Sequence, residues 1–151
     1  MKIIIGSDHA GYELKGKLKK YLIKLGYECE DVGANKFEPL DDYPDFVIPL
    51  AEKVANNLKD TRGVFLGGSG QGEAMLANKV KGIRAALYYG GTLDIIELSR
   101  THNDANILSL GARFLSEAEA KKTIKLWLDI QFLGEEKHKR RIEKIKKYEN
   151  V

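Results

Sequence analysis

Five short apolar runs rich in Val, Ile and Leu, separated by longer stretches whose apolar residues recur at helical spacing, constrain this chain more than any other feature. The alternation predicts an α/β fold with a five-stranded parallel sheet, because crossover helices cover both faces of such a sheet and leave its strands apolar nearly throughout. Strands are expected at Lys2–Gly6, Glu28–Val32, Gly63–Leu66, Arg84–Leu87 and Ile107–Leu110. The first helix, Gly11–Leu25, carries Leu14, Leu18, Tyr21, Leu22 and Leu25 on one face and ends at Gly26, a helix C′ glycine. The second, Asp45–Leu58, contains Pro49, which requires the helix to begin late enough for Pro49 to fall in its first turn. Further helices are expected at Gly72–Val80, Thr92–Thr101, Ser116–Leu133 and Glu135–Glu149. Ser116-Glu117-Ala118-Glu119 fits the capping box, and Gly33–Asp42 is the longest expected loop. At 151 residues and 43% hydrophobic content, residues 1–151 are read as one domain with one core and one site.

Charge and cysteine usage narrow the function classes. With 25 basic and 22 acidic residues, the net charge of +3 gives no general argument for a polyanionic partner. The basic excess is concentrated at 135–148, EEKHKRRIEKIKKY, but Glu135, Glu136, Glu143 and Glu149 interrupt it, which reads as a solvated helix and not a nucleic-acid patch. Its narrow apolar stripe, Ile142, Ile145 and Tyr148, suits packing on the core or on a neighbouring subunit. Cys29 is the only cysteine, which excludes an intrachain disulfide framework and cysteine-rich zinc sites and fits a reducing cytoplasm. No apolar run reaches the length of a membrane span or a signal peptide, so a soluble cytoplasmic protein is expected.

In an open α/β sheet, ligands bind beyond the carboxyl ends of the strands, so the residues that follow each strand carry the chemistry. Ser7-Asp8-His9-Ala10-Gly11 follows the first; Asp8 and His9 there can grip a ligand, or Asp8 can simply cap the next helix. The third strand runs into Gly67-Gly68-Ser69-Gly70-Gln71-Gly72-Glu73, whose glycines leave backbone N–H groups uncovered beside a helix start, as an anion cradle does. Neither a dinucleotide fingerprint nor a P-loop fits, because Glu73 and Met75 stand where the former needs glycine and no Gly-Lys-Ser/Thr follows. Glu73 falls near the first turn of the helix, where the dipole favours the ionised carboxylate that proton abstraction needs, although complementing that dipole is reason enough for an acid there. His102 and Asn103 close the fourth helix, and by spacing alone His102 reads as a helix-end residue.

Taken in order, GSDHAG at 6–11, DDYPD at 41–45, GGSGQGEAMLANKVKGIRA at 67–85, SRTHNDAN at 99–106, GAR at 111–113 and HKRRIEKI at 138–145 resemble the ribose-5-phosphate isomerase B family along nearly the whole chain. That family also includes isomerases of galactose 6-phosphate and allose 6-phosphate. The resemblance implies a Rossmann-like three-layer α/β/α sandwich, a homodimer or tetramer with active sites at the subunit interface, a sugar phosphate as substrate, and neither metal nor redox cofactor. It has Asp8 and His9 hold the sugar and its phosphate and Tyr43 line the pocket, and makes Gly68, Ser69, Gly70, Gln71 and Gly72 donors of backbone N–H groups to an enediolate. It assigns ring opening to His102, sugar binding to Asn103, and phosphate binding to Arg113, Lys137 and Arg141. Many members have a cysteine base where this chain has Gly67; a second branch keeps a small residue there and uses a glutamate six positions on, which is Glu73. Lys137 stands where an arginine is usual, a point charge in place of a bidentate fork.

The expected reaction is therefore the interconversion of ribose 5-phosphate and ribulose 5-phosphate, in the non-oxidative pentose phosphate pathway. The rival readings are a hexose 6-phosphate isomerase, and a phosphate- or nucleotide-binding module without chemistry. The second has no use for Glu73 and His102 together.

Overall fold

The structure, a computed structural model, describes residues 1–150. Its strands are β1 (Lys2–Ser7), β2 (Glu28–Asp31), β3 (Thr61–Gly67), β4 (Ala85–Tyr88) and β5 (Ile107–Gly111). All pairings are parallel, in the order β2-β1-β3-β5-β4. The helices are α1 (Tyr12–Lys24), α2 (Pro44–Ala55), α3 (Gln71–Ala77), α4 (Asp94–Thr101), α5 (Glu117–Asp129) and α6 (Glu136–Tyr148), with a 3-10 turn at His9–Gly11 before α1.

Strand alternation sorts the apolar side chains into two layers. Ile3, Ile5, Val64, Leu66, Leu108 and Leu110 face α1, α4 and α5, where Leu18, Leu22, Ile96, Ile124 and the fully buried Trp127 meet them. Ile4, Phe65 and Ile107 point the other way, onto Val47, Leu50, Val54 and Ala77 of α2 and α3. Helices on both faces of a parallel sheet make the three-layer α/β/α sandwich. Because β1 leads to β2 on one side and β3 lies on the other, the chain reverses direction between β1 and β3, and a crevice opens there at the carboxyl ends. No helix among the described residues is long and apolar enough to cross a membrane.

Two boundaries depart from expectation for identifiable reasons. Helix α2 starts at Pro44, so Pro49 sits in its second turn and not its first. Pro44 is the proline that takes the first helical position, where its missing N–H costs nothing; the carbonyl that Pro49 leaves without a donor belongs to exposed Asp45, within reach of water. Helix α5 ends at Asp129, not Leu133, because Ile130 turns to extended backbone (φ −81°, ψ 130°). Its other end conforms: Ser116 and Glu119 form the reciprocal capping box. Helix α6 places Ile142 in its own subunit's interior, whereas Ile145 and Tyr148 remain exposed.

Gly11 decides how α1 approaches the sheet. A Cβ at this position would collide with the Leu66 carbonyl of β3, which is backbone and cannot swing aside. Gly11→Ala should therefore cost about 1–3 kcal/mol of unfolding free energy, in the range of overpacked cores, read as a lower urea midpoint at unchanged slope.

Candidate active site

Three strand ends supply the crevice. At the end of β1, Asp8 is buried, and its Oδ1 accepts from the N–H groups of Ala10 (2.9 Å) and Gly11 (3.2 Å), capping the 3-10 turn. Capping and ligand binding are thus compatible, since no hydrogen bond among the described residues engages Oδ2. His9 is held from the 33–42 loop: Asp41 Oδ1 lies 2.7 Å from its Nδ1 and accepts its backbone N–H at 3.0 Å. A carboxylate on Nδ1 places the proton there and leaves Nε2 to face a ligand. Tyr43, preceding α2, leans over the glycine loop; a Cβ on Gly72 would come within 2.8 Å of its hydroxyl.

The loop after β3 is shaped by its glycines. Gly70 takes a left-handed conformation (φ 76°) to start α3, and the Ser109 hydroxyl of β5 donates to its carbonyl at 2.7 Å. Of the first-turn N–H groups of α3, which have no intrahelical acceptor, that of Gln71 donates to the Ser69 hydroxyl at 3.3 Å and that of Glu73 to its own carboxyl, whereas that of Gly72 remains available to an anion. Arg113, following β5, donates its backbone N–H to the Gly68 carbonyl at 3.1 Å and lays its guanidinium over Gly68, 3.4 Å from where a Cβ would be.

Glu73 folds back beneath this loop. Its carboxyl occupies the volume that a side chain at Gly67 would fill, so residue 67 has to be glycine for Glu73 to sit there. Burial pushes the Glu73 carboxyl above the ordinary carboxylate range; its own backbone N–H pulls it down and Asp8 pushes it up further. The dipole of α3 had suggested the opposite direction, but α3 has only seven residues and Glu73 is 5% exposed, so desolvation wins. Burial likewise raises Asp8, with its two backbone hydrogen bonds opposing. Two desolvated carboxyl groups at one crevice, beside the free Gly72 N–H, form a geometry suited to moving a proton between carbons beside an oxyanion.

The remaining expected residues lie elsewhere. Helix α4 runs back from the carboxyl end of β4 to the start of β5, so His102 and Asn103 are at the amino ends of the strands. Asn103 and Asp104 carbonyls there accept from Arg84, which precedes β4. Five residues of β5, roughly 15 Å, separate this end from Arg113. Around His102 stand Lys137, ion-paired to Glu135 at 3.0 Å, and exposed Arg141, one turn apart on α6. A cavity of about 550 Å³ whose walls include Asn103, Arg84 and Tyr148 adjoins this group and not Glu73. One chain thus unites Asp8, His9, Tyr43, the glycine loop, Glu73 and Arg113, and keeps His102, Asn103, Lys137 and Arg141 apart from them.

Two residues with evident roles were not singled out from the sequence. Asp41 orients His9 from 32 residues away, a contact no local pattern signals. His138, 2% exposed, stacks on His102 with ring centroids 4.0 Å apart at 17°. Burial, with His102 and Lys137 nearby, holds His138 below the ordinary imidazole range. Its spacing of four from Ile142 was the available signal, since both lie on the inward face of α6.

Comparison with known proteins places the chain in a family. A family model described as Ribose/Galactose Isomerase matches residues 3–145. The chain is 40% identical over 149 residues to a putative sugar phosphate isomerase of Bacillus subtilis, covering 99% of this chain and 97% of that one. It is 37% identical to ribose-5-phosphate isomerase B of Mycobacterium tuberculosis, covering 100% and 91%. Among solved structures, ribose-5-phosphate isomerase B of Mycoplasma genitalium with bound ribulose-5-phosphate superposes with a TM-score of 0.94 at 40% identity, covering 99% and 96%. The Clostridium thermocellum enzyme gives 0.92 at 43%, covering 99% and 98%. With its fold and nearly its whole length matched, this chain belongs to the ribose/galactose isomerase family.

Proposed function

We propose that this chain is an aldose-ketose isomerase, one domain over residues 1–151, that interconverts D-ribose 5-phosphate and D-ribulose 5-phosphate with Glu73 as the base. The observation that carries the reading is the Glu73 carboxyl, buried over Gly67 beside the glycine loop. The relatives named for ribose 5-phosphate favour the pentose. Glu73 takes the proton from C2 of the open aldose, the N–H groups of residues 68–72 hold the enediolate while the hydroxyl proton passes from O2 to O1, and Glu73 returns the carbon-bound proton at C1. A carboxyl raised by burial is a stronger base than a solvated one, which suits a weakly acidic C–H. Asp8, Tyr43 and His9, the last held by Asp41, grip the sugar, and Arg113 faces its phosphate.

His102 cannot reach a substrate on its own chain's Glu73, so the site is completed by a second copy. That copy contributes His102 for ring opening, Asn103 for the sugar, and Lys137 and Arg141 for the phosphate, making the working unit a homodimer. The lone, unpaired Cys29 fits a reducing cytoplasm.

Glu73→Gln should bind ribose 5-phosphate and lose at least about 1000-fold in kcat, measured by ketose formation; turnover within tenfold of the parent would remove Glu73 from the mechanism. Activity on a hexose 6-phosphate alone would keep the chemistry and change the substrate. The same substitution should alter stability with a definite sign. Because burial raises the folded-state value above the unfolded one near 4.5, the ionised carboxylate destabilises the fold at pH above both values, and the penalty disappears below pH 4.5. Glu73→Gln should therefore melt higher than the parent at pH 8 and lose that advantage by pH 4, as followed by circular dichroism. The shared site has its own check. Glu73→Gln and His102→Ala chains, each inactive, should recover up to about a quarter of parental activity when unfolded together and refolded, since half the dimers are mixed and each has one intact site. No recovery would mean that both residues serve one chain's site.

A further inference from the structure

A second cavity lies at the opposite end of the sheet from Glu73, on the α4 and α5 side, with a volume of about 230 Å³. Arg62, Arg100, Trp127 and Gln131 help to line it, and no carboxylate does. Arg62 spends only Nη1, on the carbonyls of Leu58 (2.9 Å) and Thr61 (2.7 Å). Arg100, whose side chain is 7% exposed, uses Nη1 on Asp104 and the Ala105 carbonyl and Nε on the Ile130 carbonyl. Nε and Nη2 of Arg62 and Nη2 of Arg100 have no acceptor among the described residues. Trp127 is fully buried, and its indole N–H is without a partner as well.

The charge count points the same way. Arg62, Arg84 and Arg100 cluster here, and Asp104 is their one ion-pair partner among the described residues, bonded to Arg84 at 3.1 Å and to Arg100 at 2.7 Å. Burial and the neighbouring Arg100 hold Arg62 below the ordinary guanidinium range, with Asp104 opposing. A partly buried group of three cations and one anion, with a buried orphan donor beside it, is short of negative charge and of acceptors. The volume is roughly seven times a water's share of the liquid, enough for a tetrahedral oxyanion.

We infer that this cavity is a binding site for a small oxyanion, either free inorganic phosphate or the phosphoryl group of a small metabolite, separate from the Glu73 crevice. Arg100 lies two residues before His102, so an anion held here bears on the helix end that carries His102. Binding needs no turnover to be seen, so it stands or falls independently of the isomerase reading.

Trp127 is the only tryptophan in the chain, which makes its emission a reporter of this cavity. The full chain is titrated at pH 7.5 and constant ionic strength with inorganic phosphate, with glycerol phosphate, and with sodium chloride as control. The expected result is a saturable emission change with one or both phosphates and not with chloride, retained in Arg113→Gln, which removes a phosphate-binding cation from the Glu73 crevice, and at least tenfold weaker in Arg62→Gln. Tighter binding of inorganic phosphate identifies the free ion as the ligand, and tighter binding of the monoester identifies a metabolite. No saturable change, a change that chloride reproduces, or an affinity unaltered at position 62 would overturn the proposal. Arg62→Lys, which keeps the charge and loses the fork, serves if the glutamine variant does not melt cooperatively.

Discussion

Gly67 and Glu73 compete for one volume, and the site depends on how that competition ends. Without a side chain at 67, the first turn of α3 can fold its carboxyl back under the strand end, where it is dry and lies beside the loop's N–H donors. The glycines that follow serve the same arrangement: the left-handed Gly70 starts α3 at the right angle, and Gly72 leaves room for Tyr43. A methyl group at 67 would force the carboxyl out toward solvent, removing both its desolvation and its aim. The buried carboxyl is therefore a property of the pair of positions more than of either residue.

Electrostatic cost is managed differently at the two ends of the sheet. At the carboxyl ends, Asp8 and Glu73 are both raised by burial; Asp8 raises Glu73 further, and Asp41 raises Asp8. Backbone N–H groups compensate Asp8, and the Arg113 guanidinium lies over the same loop, so the crevice tolerates negative charge without a buried ion pair. At the amino ends the excess is cationic, and Asp104, in a left-handed conformation (φ 44°) that Asp tolerates better than most residues, turns its carboxylate between two arginines.

The strands, the parallel topology and the α5 capping box were legible because each rests on local pattern: apolar runs, intervening helical period, and a four-residue signature. What was not legible rests on contacts distant in sequence or on competition between local rules. Pro49 was read as marking a first turn because proline usually does; the nearby Pro44 takes that role, and the exposed Asp45 carbonyl makes the second proline tolerable. The direction in which Glu73 shifts was misjudged for a related reason, since the helix dipole is visible in the sequence and burial is not. Asp41 and His138 escaped notice because their partners, His9 and His102, are 32 and 36 residues away.

Topology also explains why the residues of one family pattern divide into two groups. A helix that follows a parallel strand must return to the opposite edge before the next strand begins, so residues after strands and residues after helices are separated by the length of the sheet. Asp8, Glu73 and Arg113 follow strands or open helices; His102 and Asn103 close one, and α6 then packs His138 onto His102 at that same end. No side-chain rotation closes a gap of roughly 15 Å. If all these residues act on one substrate, the missing half has to arrive on another molecule, and a two-fold axis that brings one end of the sheet to the other supplies two complete sites at once. The exposed Met75 of α3 and the exposed Ile145 and Tyr148 of α6 leave apolar area at both ends for such a contact.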